Sequence, residues 1–151
     1  MCPFDAMAVC RYNAAMEPWQ GNRGRRAALR YDQEAFEAIV ADALEGLPDE
    51  IHAWLDNVVI VVAEQPTQQH LAQARVRRSD LLLGLYVGVP KIHRGVTFGE
   101  SLPDKIVIFQ RPIEQLCRTP DEIRAQVRRT VLHEIGHHFG MEEGQLRDAG
   151  V

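Results

Sequence analysis

Apolar residues recur at helical spacing twice in the first half of the chain. From Asp32 onward they lie three and four positions apart, which predicts an amphipathic helix that Gly46 and Pro48 stop. A weaker repeat of the same spacing follows Pro66 and predicts a second helix over Thr67–Arg78. We therefore expect two helices before the middle of the chain.

Three apolar segments predict strands instead. Asn57–Glu64 contains five consecutive β-branched residues, which is typical of a strand covered on both faces and therefore central in its sheet. Leu81–Val89 is interrupted by Gly84 and Gly88, where the missing side chain allows a bulge or the close approach of another backbone. We expect this second strand to be a binding edge. Lys105–Gln110 alternates apolar positions and predicts the third strand.

The longest predicted helix lies in the last third of the chain. Thr119 offers an N-cap hydroxyl, Pro120 suits the first turn, and Glu122 completes a capping box. Gly140 is expected to end the helix, because glycine adopts the left-handed conformation without strain. Between these signals runs one apolar stripe with a repeat of four, along a helix of about twenty residues. The stripe consists of Ile123, Val127, Val131, Ile135 and Phe139.

This helix carries the sequence HEIGH at residues 133–137, an HExxH motif. Residues four apart lie about 40° apart around a helix, so His133 and His137 face one side, and Glu134 can reach a water on a metal that they bind. The spacing suits tetrahedral Zn²⁺, which needs a third protein ligand and an open fourth position for water. His138 projects about 100° from His137, toward the apolar stripe, and is expected to be packed rather than ligating.

The third ligand is expected just beyond the helix. Glu143 lies ten residues after His133 and follows Gly140, which gives the pattern HxxxHxxGxxE. Only eight residues follow it, which disfavours a ligand from a distant second helix. Glu142 remains the second candidate and Asp148 a remote third. HExxH can arise by chance, but the glycine and the carboxylate at their added positions make a chance match far rarer.

The composition restricts what kind of protein this is. The 151 residues suffice for one cored domain, and 46% hydrophobic with 25% charged residues excludes a disordered chain. Residues 1–31 carry no sustained period, so we expect an irregular N-terminal arm there and one domain over residues 32–151. The first seventeen residues lack signal-peptide features, and the three cysteines form no CxxC pair. These features predict a cytoplasmic protein with no membrane partner.

The strings TVLHEIGHHFGMEE, LLLGLYVGVP and LPDKIVIFQRPI, with the first predicted helix, resemble the small bacterial zincin-like metallopeptidases. The extended motif of that family is HExxHxxGxx[D/E], and the resemblance covers roughly residues 34–148. It implies an α+β fold of the minimal zincin kind, with a short mixed β-sheet packed on helices that include the HExxH helix. It also implies zinc held by His133, His137 and Glu143, with Glu134 as the catalytic general base.

The resemblance further implies hydrolysis of peptide bonds in a peptide or an unfolded protein. An oxyanion stabiliser is also needed, and Tyr86, His93 and Arg94 are candidates by residue type alone. A non-catalytic zinc-binding or partner-binding domain is the first alternative, because larger zincins build a second cleft wall after the motif. A metal-dependent endoribonuclease of the rRNA-maturation type is the second. Its motif resembles HGxxHxxGxDH without the glutamate, and the net charge of -4 disfavours nucleic acid as a partner.

Overall fold

The computed structural model describes residues 9–12, 30–77, 80–88 and 103–140. Helices and strands both occur along these segments, and the strands form one sheet. The predicted α+β class is therefore confirmed. No helix within these segments is long and apolar enough to cross a membrane. In chain order the elements are β1 (Val9–Tyr12), α1 (Gln33–Glu45), α2 (Asp49–Trp54), β2 (Val58–Ala63), α3 (Gln68–Gln73), β3 (Leu81–Val87), β4 (Asp104–Phe109), α4 (Gln110–Leu116) and α5 (Pro120–His138).

In the described part of the chain, the sheet has four strands in the order β1-β3-β4-β2. β2 and β4 are parallel, whereas β3 is antiparallel to both β4 and β1, so the sheet is mixed. One face carries the main core with α1, α4 and α5, where Ile106 and Ile108 of β4 are buried. The other face carries a smaller cluster around Val107 and Phe109, which Ala74 at the end of α3 helps to cover. The alternation predicted for this strand is therefore confirmed.

The prediction that Asn57–Glu64 is a central strand is wrong, because β2 is an outermost strand of the sheet that the described residues form. Val58, Ile60 and Val62 pack against the main core. Val59 and Val61, on the opposite face, are 46% and 37% exposed. A run of β-branched residues indicates a strand because branched side chains suit a pleated surface, and one covered face is enough for that.

The prediction that β3 is an edge strand is also wrong, because β1 lies outside it. β1 falls within residues 1–31, where the sequence showed no period. A strand of four residues is too short to display one. Val9 pairs with Leu85 and Cys10 with Gly84, and the register then shifts before the next pair. The shift confirms the irregularity that the glycine suggested in this strand.

Helix α5 follows its sequence signals closely. The Thr119 hydroxyl accepts a hydrogen bond from the Glu122 N–H at 3.2 Å, while the Glu122 carboxylate accepts from the Arg118 N–H rather than from the cap residue. Pro120 is the first helical residue. Gly140 follows the helix with φ 76°, as expected of a terminating glycine. Four residues of the predicted stripe are buried, and Phe139 packs partly against them.

A buried polar network fixes the chain just before α1. The Glu114 side chain is 2% exposed, and its Oε1 accepts from the Tyr31 N–H and from Gln110 Nε2, both at 2.9 Å. Its Oε2 accepts from Arg111 at 2.7 Å. Burial alone raises the pKa of Glu114, but these hydrogen bonds and the Arg111 charge outweigh burial and hold the pKa below its ordinary value.

Glu114→Gln is expected to lower the free energy of unfolding at pH 7 by about 2 kcal/mol, because the charge-assisted bond to Arg111 is lost. The depressed pKa means that the carboxylate stabilises the fold above the unfolded pKa of about 4.3, and that this contribution disappears as pH falls through the folded pKa. Urea unfolding between pH 7 and 2.5 should therefore show a smaller acid-dependent loss in the variant than in the parent chain. Glu45→Gln, at an exposed position, should match the parent; equal pH slopes for Glu114→Gln and the parent would contradict the assignment.

Candidate active site

His133 and His137 come together on one side of α5. Their Nε2 atoms are 3.1 Å apart, and their rings meet edge to face with centroids 4.7 Å apart. Two imidazoles on one tetrahedral zinc, each with Zn–N of about 2.0–2.1 Å, would have their nitrogens about 3.3–3.4 Å apart. The observed separation is close to that value, so the pair fits a shared zinc ion after a shift of a few tenths of an ångström.

The expected third ligand lies outside the described residues, as do both alternatives. Glu142, Glu143 and Asp148 all follow Gly140, where the described part of the chain ends. Within residues 9–12, 30–77, 80–88 and 103–140, no group of three or more His, Cys, Asp or Glu side chains could hold a metal. The described part of the candidate centre is therefore a histidine pair, and the assignment of Glu143 stays a prediction.

Glu134 is fully buried between α5 and the sheet. Its Oε2 accepts a hydrogen bond of 2.8 Å from the backbone N–H of Tyr86 in β3. Neighbouring positions of a helix differ by about 100°, so His133 and Glu134 leave α5 in different directions, and one carboxylate oxygen of Glu134 is held at the strand. The sequence predicted Glu134 as a site residue, but it gave no sign of the hydrogen bond from Tyr86, because the two residues are 48 apart.

Gly84 allows α5 to lie directly against β3. A Cβ at this position would be 2.5 Å from Thr130 Cγ2, far closer than non-bonded carbons approach, and 3.7 Å from Glu134 Cγ. Thr130 itself is fully buried. The signal for this contact was present in the sequence, because a glycine inside an apolar strand indicates that another element approaches closely. The close approach is therefore confirmed, but the expectation that another backbone makes it is wrong, because the nearest atom belongs to the Thr130 side chain.

His138 is packed inside the protein, as its position on the helix predicted. It is 1% exposed, its ring lies 4.9 Å from that of Tyr86, and its Nδ1 is 4.0 Å from Asp104 Oδ2. The Tyr86 side chain is also 1% exposed, so its phenol lies in the core and not at an accessible cleft. Tyr86 therefore contributes its backbone N–H to the site. The other two oxyanion candidates, His93 and Arg94, lie outside the described residues.

The sequence model of one protein family, described as zincin-like metallopeptidase, matches residues 55–151. The chain belongs to this family. The resemblance drawn from the motif strings is thereby confirmed. The matched segment, residues 55–151, includes all the predicted site residues, whereas β1, α1 and α2 precede it. No curated protein matches the chain.

Proposed function

We propose that this zincin-like metallopeptidase is a zinc-dependent hydrolase of peptide bonds. His133, His137 and Glu143 would hold the zinc, and Glu134 would act as the general base. One observation carries the proposal: the two imidazole nitrogens converge to 3.1 Å on the helix that also presents Glu134 to β3. A purely structural zinc site has no use for a base next to its ligands, so the glutamate favours catalysis.

The chemistry divides between the ion and the chain. When bound, zinc polarises the scissile carbonyl and lowers the pKa of a coordinated water toward about 7. Glu134 accepts the proton of the attacking water and returns it to the leaving amine. The Tyr86 N–H fixes one oxygen of that carboxylate, which restricts the rotation of the base. Buried surroundings exclude bulk water from the base and strengthen this hydrogen bond.

We propose flexible peptides or unfolded proteins as substrates. A peptide bond reaches such a site when the peptide adds as a strand to a sheet edge, and folded proteins seldom offer an extended segment.

We also propose a cytoplasmic location. The location is supported by the three cysteines, which form no CxxC pair. Burial raises the pKa of the Cys117 thiol to about 12, so this cysteine is protonated at neutral pH and is not a candidate nucleophile.

Metal analysis tests the proposal directly. We expect about one zinc per chain in protein purified without added metal or a histidine tag, because two imidazoles and a carboxylate complete a zinc site with one open position. His133→Ala should lose the zinc. His52→Ala, at an exposed position on α2, should keep it and serves as the matched control. Retention of zinc in His133→Ala would overturn the proposal.

The same measurement locates the third ligand. Glu143→Ala should weaken zinc binding strongly, Glu143→Asp mildly, and Glu142→Ala little, because only the first removes the expected carboxylate. Titration with a competing chelator gives the three affinities. Release of zinc by Glu142→Ala alone would move the ligand by one position.

A further inference from the structure

The outer edge of β3 is occupied by a segment from the chain's own N-terminus. β1 runs antiparallel to β3 with Val9 opposite Leu85 and Cys10 opposite Gly84. β1 also contacts α5, the helix with the HExxH motif. β1 therefore lies along the strand that holds Glu134 in place, next to the candidate active site.

This edge of β3 is the one that faces the general base. Tyr86 lies opposite Ile106 of β4, yet it donates its N–H to Glu134, so that N–H points away from β4. Alternate residues of a strand turn their N–H groups to the same side, so the Gly84 N–H also points away from β4, toward Cys10. On this one edge of β3, β1 therefore pairs at Gly84 and Glu134 binds at Tyr86, two residues further along.

We propose that β1 occupies the edge on which a substrate peptide binds, and that it must leave before a substrate can pair there. This inference rests on the proposed peptidase function. A substrate strand would run antiparallel to β3, as β1 does, with its N-terminal end toward Val87 and its C-terminal end toward Leu81. The chain therefore restrains its own activity by competition at the edge.

Two features fit a removable strand. β1 has only four residues, and its register with β3 shifts after Cys10, so its ladder is short and interrupted. It also precedes the segment that the family model matches, which begins at residue 55. β1 also lies before residue 34, where the resemblance to the family begins, so it is outside both the matched segment and the resemblance.

A proline in β1 tests the competition in the full chain. Cys10→Pro removes the N–H that faces Gly84 and disfavours the strand, while Cys10→Val removes the same thiol but keeps the N–H and a strand-forming residue. The probe is a fluorescein-labelled peptide of residues 5–14 with serine at the cysteine position. Its binding is followed by fluorescence anisotropy, and mass spectrometry checks that it stays intact.

We expect Cys10→Pro to bind the probe at least about tenfold more tightly than the parent chain or Cys10→Val, because the edge is no longer filled. If the peptidase function also holds, Cys10→Pro should lower KM for an unstructured peptide with little change in kcat. A difference in binding without any hydrolysis would support the edge competition while contradicting the proposed function. Equal binding by all three proteins would overturn the competition, and a gain in Cys10→Val equal to that in Cys10→Pro would assign the effect to the thiol.

Hydrogen exchange at the Gly84 amide gives a second readout that remains if Cys10→Pro folds poorly. In the parent chain we expect this amide to be protected, and Cys10→Gly, which weakens the strand without introducing a proline, should increase its exchange about fivefold. Adding the probe peptide to Cys10→Gly should slow the exchange again. Rapid exchange in the parent chain would show that β1 does not hold the edge in solution and would overturn the proposal.

Discussion

Glu134→Gln is expected to keep its zinc and to lose about three orders of magnitude in kcat/KM toward a flexible peptide. General-base catalysis contributes roughly 10²–10⁴-fold, and a glutamine amide cannot accept the proton of the attacking water. The amide oxygen can still accept the Tyr86 N–H, so the packing between α5 and β3 should survive. Metal analysis, kinetics on an unstructured peptide and thermal unfolding measure the three quantities.

The three readouts separate the roles of this side chain. Glu45→Gln changes the same functional group at an exposed position on α1 and should leave zinc, rate and stability unchanged. If Glu134→Gln released the zinc, the side chain would be a ligand rather than a base. An unchanged rate with zinc retained would contradict general-base catalysis and favour a non-catalytic metal.

The features that could be predicted from this sequence are those that depend on the spacing of nearby residues. Thr119, Pro120 and Gly140 predict the bounds of helix α5, and its apolar stripe predicts which side packs against the sheet. His133 and His137 follow from the same geometry, because a separation of four residues on a helix leaves little freedom. The short helices α2 and α4 went unpredicted, and α3 was predicted as far as Arg78 although it ends at Gln73, because six or seven residues give too weak a period to fix a helix or its bounds.

The order of strands could not be predicted, because it depends on contacts between distant residues. β2 looks central from its β-branched residues but lies at the end of the sheet, and β3 looks like an edge until β1 is placed beside it. The hydrogen bond from Tyr86 to Glu134 belongs to the same class, since it joins residues 48 apart. The close approach of Thr130 to Gly84 did have a sequence signal, because a glycine in an apolar strand indicates that another part of the chain comes close.

Gly84→Ala is expected to weaken both the fold and the site. The new Cβ would stand 2.5 Å from Thr130 Cγ2, and neither the buried threonine nor the strand can move without cost. Overpacking of this kind lowers the free energy of unfolding by about 2 kcal/mol. It should also lower kcat/KM, because a shift of α5 away from β3 lengthens the hydrogen bond between Glu134 and Tyr86.

Thr130→Ser provides the matched rescue, because it removes the methyl group that the new Cβ would strike and keeps the hydroxyl that accepts from Gln126. Alone it should cost about 1 kcal/mol for the lost methyl. Combined with Gly84→Ala, it should recover most of the stability and rate, with a coupling of about 1–2 kcal/mol in a double-mutant cycle. Gly46→Ala is the control glycine, since its Cβ would lie 3.4 Å from the flexible Arg128 guanidinium and its φ of -76° suits alanine. Additive losses in the cycle would show that the strand backbone, and not the contact with α5, requires glycine at position 84.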